Sequence, residues 1–181
     1  MHGPLKLTLE EKWKLVFLFA RSLFLYHNSP WLPSGWMKDN IYFFYKSEDE
    51  PDLEHPFISA RKGDAPQQKY PTTDGVFHRA PSILALGILF IEIYNEKPIE
   101  SWRNKRDKAH VTVNTDLFVA LRVVEKMDDS PFRSAIKACL DMDWVAETRS
   151  VQLSDEDMRL AFLSNVIAPL EQEMEWDAIQ L

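Results

Sequence analysis

Apolar residues recur at helical spacing near the start of the chain and predict a long amphipathic helix. The stretch Thr8-Leu9-Glu10-Glu11 has the spacing of a capping box, in which Thr8 caps the helix and Glu11 reaches back to it. The apolar positions behind this cap are Trp13, Leu15, Val16, Leu18, Phe19, Leu23, Phe24 and Leu25. Their spacing predicts a helix over residues 9–26.

The second half of the chain carries the signals of further helices. Pro81 suits the first turn of a helix, and residues 83–94 are apolar almost all round, so this helix should be central. Residues 99–106 predict a short exposed helix. Asn114 is expected to cap a helix over 114–127, and Ser130 with Pro131 to start one over 130–140. A last long helix should follow residues 154–157, with Pro169 kinking or restarting it.

Only two short stretches favour β-structure. Residues 41–45 are rich in β-formers, and residues 56–59 could pair with them as a second strand. The segment 46–80 is otherwise the least regular part of the chain, and a loop of that length is usually functional or mobile. The pattern predicts one mainly helical domain over residues 1–181, with a small two-stranded β-ribbon.

Composition and charge narrow the function classes. The chain has 181 residues, a formal net charge of −7 and a pI near 5.2, which argues against nucleic acid and anionic membranes as partners. The longest apolar run, residues 83–91, is too short to span a bilayer, and no secretory signal precedes the first helix. With a single cysteine, no intramolecular disulfide can form. We therefore expect a cytoplasmic protein.

Candidate chemistry is sparse. Cys139 could be a nucleophile, but it lies in an amphipathic helix with no histidine nearby in sequence, which favours a buried structural thiol. No two of the five histidines have metal-ligand spacing, so we expect neither a metal nor a cofactor. The basic run 103–108 is interpreted either as a solvated loop or as a docking patch for an acidic partner.

Residues 36–44, Trp-Met-Lys-Asp-Asn-Ile-Tyr-Phe-Phe, resemble the catalytic loop and following strand of a protein kinase. With Asn40 at the Asn position of that loop, residues 33–35 (Pro-Ser-Gly) replace His-Arg-Asp, and Met37 replaces the Lys. Residues 82–93 resemble the kinase central helix, with Ser82 in place of its Asp. The metal-binding Asp-Phe-Gly is matched at best by residues 56–58 or 52–54, and no Gly-rich phosphate loop is present.

A closer resemblance is to a fungal, kinase-derived domain of unknown function, often found C-terminal to prion-inhibition and propagation (HeLo-type) segments. The residues that carry it are 29–32, 36–43, 86–92, 135–140 and 165–171, and it covers roughly residues 9–175. It implies a kinase C-lobe-like helical fold without the N-lobe. Because the catalytic Asp, the metal-binding Asp and the phosphate loop are missing, it implies a pseudokinase-like protein that is not an enzyme.

The resemblance further implies an interaction or regulatory module, with a role in fungal non-self recognition or cell-death signalling. Trp31 and Trp36 flank the degenerate loop, and with Met37 they could form an exposed patch for a protein partner or an N-terminal domain. The alternative is that both indoles pack into the domain. The residues do not indicate the oligomeric state.

Two other hypotheses remain open. The first is an enzyme with non-kinase chemistry, which would need Asp39, Asn40 and either His78 or Asp74 to converge on a pocket. The second is a structural fragment of a larger protein whose activity lies elsewhere. An open apolar face, where an N-terminal lobe would pack, would favour the second hypothesis.

Overall fold

The computed structural model describes residues 6–27, 29, 32, 36, 38–47, 50–58, 77–146 and 153–180. The first helix, α1 (Leu9–Tyr26), has the predicted bounds. Its predicted capping box is also present. The backbone N–H of Glu11 donates to Thr8 Oγ1 at 3.2 Å, and the Glu11 carboxylate accepts from Thr8 N at 2.7 Å. The hydrogen bonds that the Glu11 carboxylate accepts from Thr8 N and Thr8 Oγ1 hold the pKa of Glu11 below its usual value.

The remaining helices follow the order of the sequence. They are α2 (Pro81–Asn95), α3 (Lys105–Ala109), α4 (Thr115–Val124), α5 (Pro131–Asp141), α6 (Glu156–Phe162) and α7 (Ala168–Gln180). Short 3-10 turns cover Lys38–Asn40 and Ile99–Trp102. The mainly helical fold class is therefore confirmed. Among the described residues, no helix combines the length and apolar character that a bilayer crossing requires.

The core is built around α2, as its nearly uniform apolar sequence predicts. Helix α2 packs against α1, α4 and α5, and α5 in turn packs against α7. An aromatic junction ties three of these helices together. The ring of Phe132 on α5 lies 4.6 Å from Trp13 on α1 and 5.2 Å from Tyr94 on α2, measured between centroids. Phe132 is fully buried, so this junction is an anchor of the helical core.

Helices α2 and α5 approach most closely at Gly87. An added Cβ at this position would lie 2.8 Å from the Cβ of Cys139 and 3.2 Å from Cδ2 of Leu140. The first distance is shorter than two carbon atoms tolerate, so the absence of a side chain at Gly87 allows the two helices to pack. Cys139 itself is completely buried.

The β-structure consists of two small antiparallel ribbons rather than the single predicted one. Strand β1 (Ile41–Tyr42) pairs with β4 (Phe57–Ile58), and β2 (Tyr45–Ser47) pairs with β3 (Glu50–Pro51). The predicted strand 41–45 is thus divided at Phe43 and Phe44, and its two halves pair with different strands. Residues 59–76, the middle of the predicted irregular segment, lie outside the described residues, as do residues 33–35.

Two helix predictions need correction. The predicted helix 99–106 is divided because Asn104 starts a new helix with its own capping box: its Oδ1 accepts from Arg106 N and Asp107 N. Ile99, expected to be exposed, is buried. The helix predicted over 114–127 ends at Val124, and the Asn114 side chain accepts from Phe77 N at 2.9 Å instead of capping it.

The last predicted helix is interrupted just before Pro169, as expected. Helix α6 passes into a π-helical turn, Leu163–Ile167, before α7 begins. Pro169 has no N–H for the carbonyl of Asn165, so the regular i to i+4 ladder cannot continue there. The Asn165 side chain donates to the carbonyl of Ala161 at 2.8 Å. The turn accommodates the proline without ending the helical rod.

Candidate functional site

Lys38 holds in place the loop around residues 36–40, on which the sequence resemblance centred. Lys38 Nζ lies 2.5 Å from Glu92 Oε1 near the end of α2 and 3.1 Å from Glu100 Oε2. Burial alone would lower the pKa of Lys38, but the hydrogen bonds and charges of the two carboxylates outweigh it, and the pKa is raised. Glu92 Oε1 also accepts from the backbone N–H of Ile99 at 2.6 Å. The lysine charge is therefore used to tie the loop to α2.

A shallow open groove of about 440 Å³ lies beside this ion pair. It is lined by Lys38, Asp39, Glu92, Ile93, Glu96, Lys97 and Pro98. A metal-nucleotide site needs carboxylates placed together as ligands. In the described part of the chain, the one group that meets the distances for metal ligation is Asp52, Glu54 and His55, outside this groove.

That group has a structural explanation. Asp52 Oδ2 lies 2.9 Å from His55 Nδ1, its Oδ1 accepts from Glu54 N at 3.2 Å, and Lys46 lies 3.4 Å away. The hydrogen bond from His55 is the main reason that the pKa of Asp52 is lowered. These contacts close the turn that follows β3, and the cluster is largely exposed.

The groups that a non-kinase enzyme would need are not brought together where the structure describes them. His78 packs at the start of α2, whereas Lys38 and Asp39 face its end. Glu92 follows Pro81 by eleven residues, which is roughly 16 Å along a helix. Asp74 lies outside the described residues. The convergence expected for an enzyme in this groove therefore does not include His78.

His78 is buried and fixed by two hydrogen bonds. Its Nδ1 accepts from the backbone N–H of Ala80 at 3.2 Å, so Nε2 carries the proton and donates to the carbonyl of Cys139 at 2.8 Å. Burial lowers the pKa of His78, against the opposing effect of these bonds, while Arg79 and Asp141 add smaller charge effects. The neutral histidine thus links the segment just before α2 to α5.

Cys139 is the structural thiol that the sequence favours. It is fully buried against Gly87, and burial raises the pKa of its thiol far above the usual value. A thiol in that state does not form the thiolate that nucleophilic catalysis requires.

Of the three residues predicted to form a partner-binding patch, the structure describes only Trp36. Trp36 is only 4% exposed and belongs to the hydrophobic core, so for this residue the alternative of an indole packed into the domain holds. Its Nε1 has no hydrogen-bond partner among the described residues. Trp31 and Met37 lie outside the described residues. Burial of Trp36 removes it as a docking residue.

An exposed aromatic surface lies next to this loop, on the first β-ribbon. The ring of Phe57 stacks on Phe44 at 4.5 Å and on Tyr42 at 5.6 Å between centroids. Tyr42 is 48% exposed, Phe44 67% and Phe57 37%. We call these three residues the aromatic ridge. Tyr45, which follows Phe44, is also exposed.

The sequence contained a partial signal for this ridge. Ile41 and Phe43 pack against the core while Tyr42 and Phe44 point outward, the two-residue alternation of a strand. Because every residue in the run is apolar, polarity does not identify the outward face, and the sequence pattern does not predict the ridge.

Comparison with known proteins gives a family but no characterised relative. No curated protein matches the chain, and no solved structure matches it. One family model matches residues 2–177, nearly the whole chain, and its description is "Domain of unknown function (DUF7580)". This match agrees with one part of the resemblance found in the sequence, namely that the chain is a domain of unknown function. The chain belongs to the domain family of unknown function DUF7580.

Proposed function

We propose that this domain is a catalytically inactive interaction module that binds a protein partner through the aromatic ridge. The observation that carries the proposal is the stacked, exposed set of Tyr42, Phe44 and Phe57. Rings fixed by stacking lose little conformational freedom on binding, and aromatic anchors dominate the energetics of protein interfaces. A ridge of this kind fits an apolar segment of a partner.

The chemistry of the described residues supports a non-catalytic role. Lys38 is engaged by two carboxylates, and both Cys139 and His78 are buried in helix packing. The sequence adds that residues 33–35 stand where a kinase carries His-Arg-Asp, and that Ser82 stands where its central helix carries Asp. A kinase-derived, pseudokinase-like origin is therefore part of the proposal.

The motif resemblance supplies the proposed biological setting. It suggests a fungal, intracellular protein that acts in non-self recognition or cell-death signalling. In such a role, the domain would hold a partner or a neighbouring domain in place rather than transform a substrate.

A second candidate is favoured by the same ridge. An apolar face left open on this domain fits a structural unit of a larger protein, in which another domain of the same polypeptide covers Tyr42, Phe44 and Phe57. The two candidates differ in whether the occupant of the ridge is a separate protein.

Site-specific photo-crosslinking in cells that express the full-length protein tests both. A crosslinking phenylalanine analogue replaces Phe44 in one variant and Phe77 in a matched control, because the two side chains are equally exposed, 67% and 68%. We expect a discrete crosslinked protein from position 44 and none from position 77. A crosslink within the same polypeptide would favour the second candidate, and no crosslink at position 44 would contradict both.

A thermal-shift titration with ATP, with and without Mg²⁺, tests the absence of catalysis. A ligand that binds only the folded state raises the melting temperature. We expect no shift up to millimolar nucleotide. A clear Mg²⁺-dependent shift would overturn the proposal of an inactive module.

A further inference from the structure

Helix α3 carries three cations that the rest of the described structure leaves uncompensated. Lys105, Arg106 and Lys108 are all exposed. None of the three forms an ion pair with another described residue, in contrast to the neighbouring arginines. We call Lys105, Arg106 and Lys108 the basic patch.

Two carboxylates in this region, Asp116 and Asp107, are already paired with arginines. Arg103 donates to Asp116 Oδ1 from Nε at 3.0 Å and from Nη2 at 2.5 Å. Arg122 pairs with Asp107. The pKa of Asp107 is lowered, first by the backbone N–H of Asn104 in the capping box and then by Arg122. Each of these acids is paired with an arginine, which leaves the three cations of the basic patch as a local surplus.

This surplus is opposed to the charge of the whole chain, which is −7. The overall negative field disfavours extended, densely charged polyanions such as nucleic acid or an anionic membrane surface. A short acidic segment can contact the patch without approaching the rest of the surface. The five residues of α3 span about 7.5 Å, which matches a few consecutive carboxylate side chains.

We propose that the basic patch is a docking site for an acidic segment of a partner protein. Of the five charges in the basic run, those on Arg103 and Asp107 serve the fold, and the remaining three face solvent, where a partner can reach them. This proposal concerns a surface different from the aromatic ridge and goes beyond the proposed function. It does not require that the ridge bind anything.

Fluorescence anisotropy with a short labelled peptide of alternating Glu and Ser tests the proposal. The test variant carries Lys105→Gln, Arg106→Gln and Lys108→Gln. The control variant loses the same charge elsewhere, through Lys6→Gln, Lys14→Gln and Lys97→Gln, at positions that are exposed. Since all the substitutions are on the surface, circular dichroism should show both variants folded.

We expect the unmodified protein to bind the peptide at low salt and to lose affinity as salt rises. The test variant should bind about tenfold more weakly or worse, as expected for three lost surface ion pairs. The control variant, and a Phe44→Ser variant of the ridge, should bind as the unmodified protein does. Because the aromatic ridge is not part of this site, unchanged binding by Phe44→Ser makes the outcome independent of whether the proposed function holds.

Three results would overturn the proposal. One is no binding of the acidic peptide at low salt. Another is an equal loss in the test and control variants, which would reflect net charge alone. The third is tighter binding to a single-stranded oligonucleotide or to phosphatidylserine vesicles than to the peptide.

Discussion

Replacing Gly87 with alanine tests the packing of α2 on α5 directly. The added Cβ would meet the Cβ of Cys139 at 2.8 Å and Cδ2 of Leu140 at 3.2 Å. The leucine methyl can rotate away. The Cβ of Cys139 is fixed to the backbone, so its contact is relieved only if α5 itself shifts.

Two opposing effects determine how much Gly87→Ala changes the free energy of unfolding. Alanine is favoured over glycine inside a helix by about 1 kcal/mol. Overpacking a filled core costs about 1–3 kcal/mol, and the upper part of that range applies because a helix must move. We expect Gly87→Ala to lower the free energy of unfolding by about 1–2 kcal/mol. For a chain of this size, the melting temperature should fall by about 2–8 °C.

Urea and thermal unfolding, followed by circular dichroism, measure the effect. The Cys139→Ala background keeps the clashing Cβ, so Gly87→Ala should cost the same free energy there. The Cys139→Gly background removes that atom, so Gly87→Ala should become neutral or stabilising. A melting temperature that rises with Gly87→Ala alone, or an equal cost in both backgrounds, would refute the reasoning.

Three further perturbations test other contacts. Thr8→Ala removes the N-cap of α1 and should cost about 1 kcal/mol in chemical unfolding, whereas Thr8→Ser should be nearly neutral. Because the pKa of His78 is lowered in the folded protein, the unfolded chain protonates this histidine at a higher pH than the folded chain does. The free energy of unfolding should therefore fall as the pH drops below about 6.5, and His78→Gln should weaken this pH dependence in unfolding experiments. Lys38→Met removes the cation that pairs with the partly buried Glu92 and should lower the free energy of unfolding by about 1.5 kcal/mol or more. Adding Glu92→Gln should restore part of this loss. Fully additive effects in the double-mutant cycle would contradict the ion pair.

The sequence predicted α1 and α2 well because each has an unambiguous local signal. The capping box at Thr8 marks the start of α1, and Pro81 with an almost wholly apolar run marks α2. Local signals also explain one miss. Asn104 and Asp107 have capping-box spacing, and this spacing marks the point at which the predicted helix 99–106 is divided.

The candidate site was less predictable because it depends on contacts between distant residues. Lys38 and Glu92 are far apart in sequence, and no local pattern indicates that they meet. The burial of Trp36 likewise depends on how the loop packs against the helices. The outward face of β1 could not be predicted, because the residues on both faces of this strand are apolar or aromatic and show no polar alternation.

The π-helical turn at Leu163–Ile167 resolves a conflict of periods in the last helical rod. Met158, Phe162, Val166 and Leu170 are buried at a strict four-residue interval, and Met174 packs partly against the core. At about 100° per residue, an uninterrupted α-helix would turn Met174 roughly 160° away from Met158. The wider turn reverses part of that drift and keeps one continuous apolar stripe. Deleting a single residue within the turn would therefore rotate α7 about its axis and present its polar side to α5.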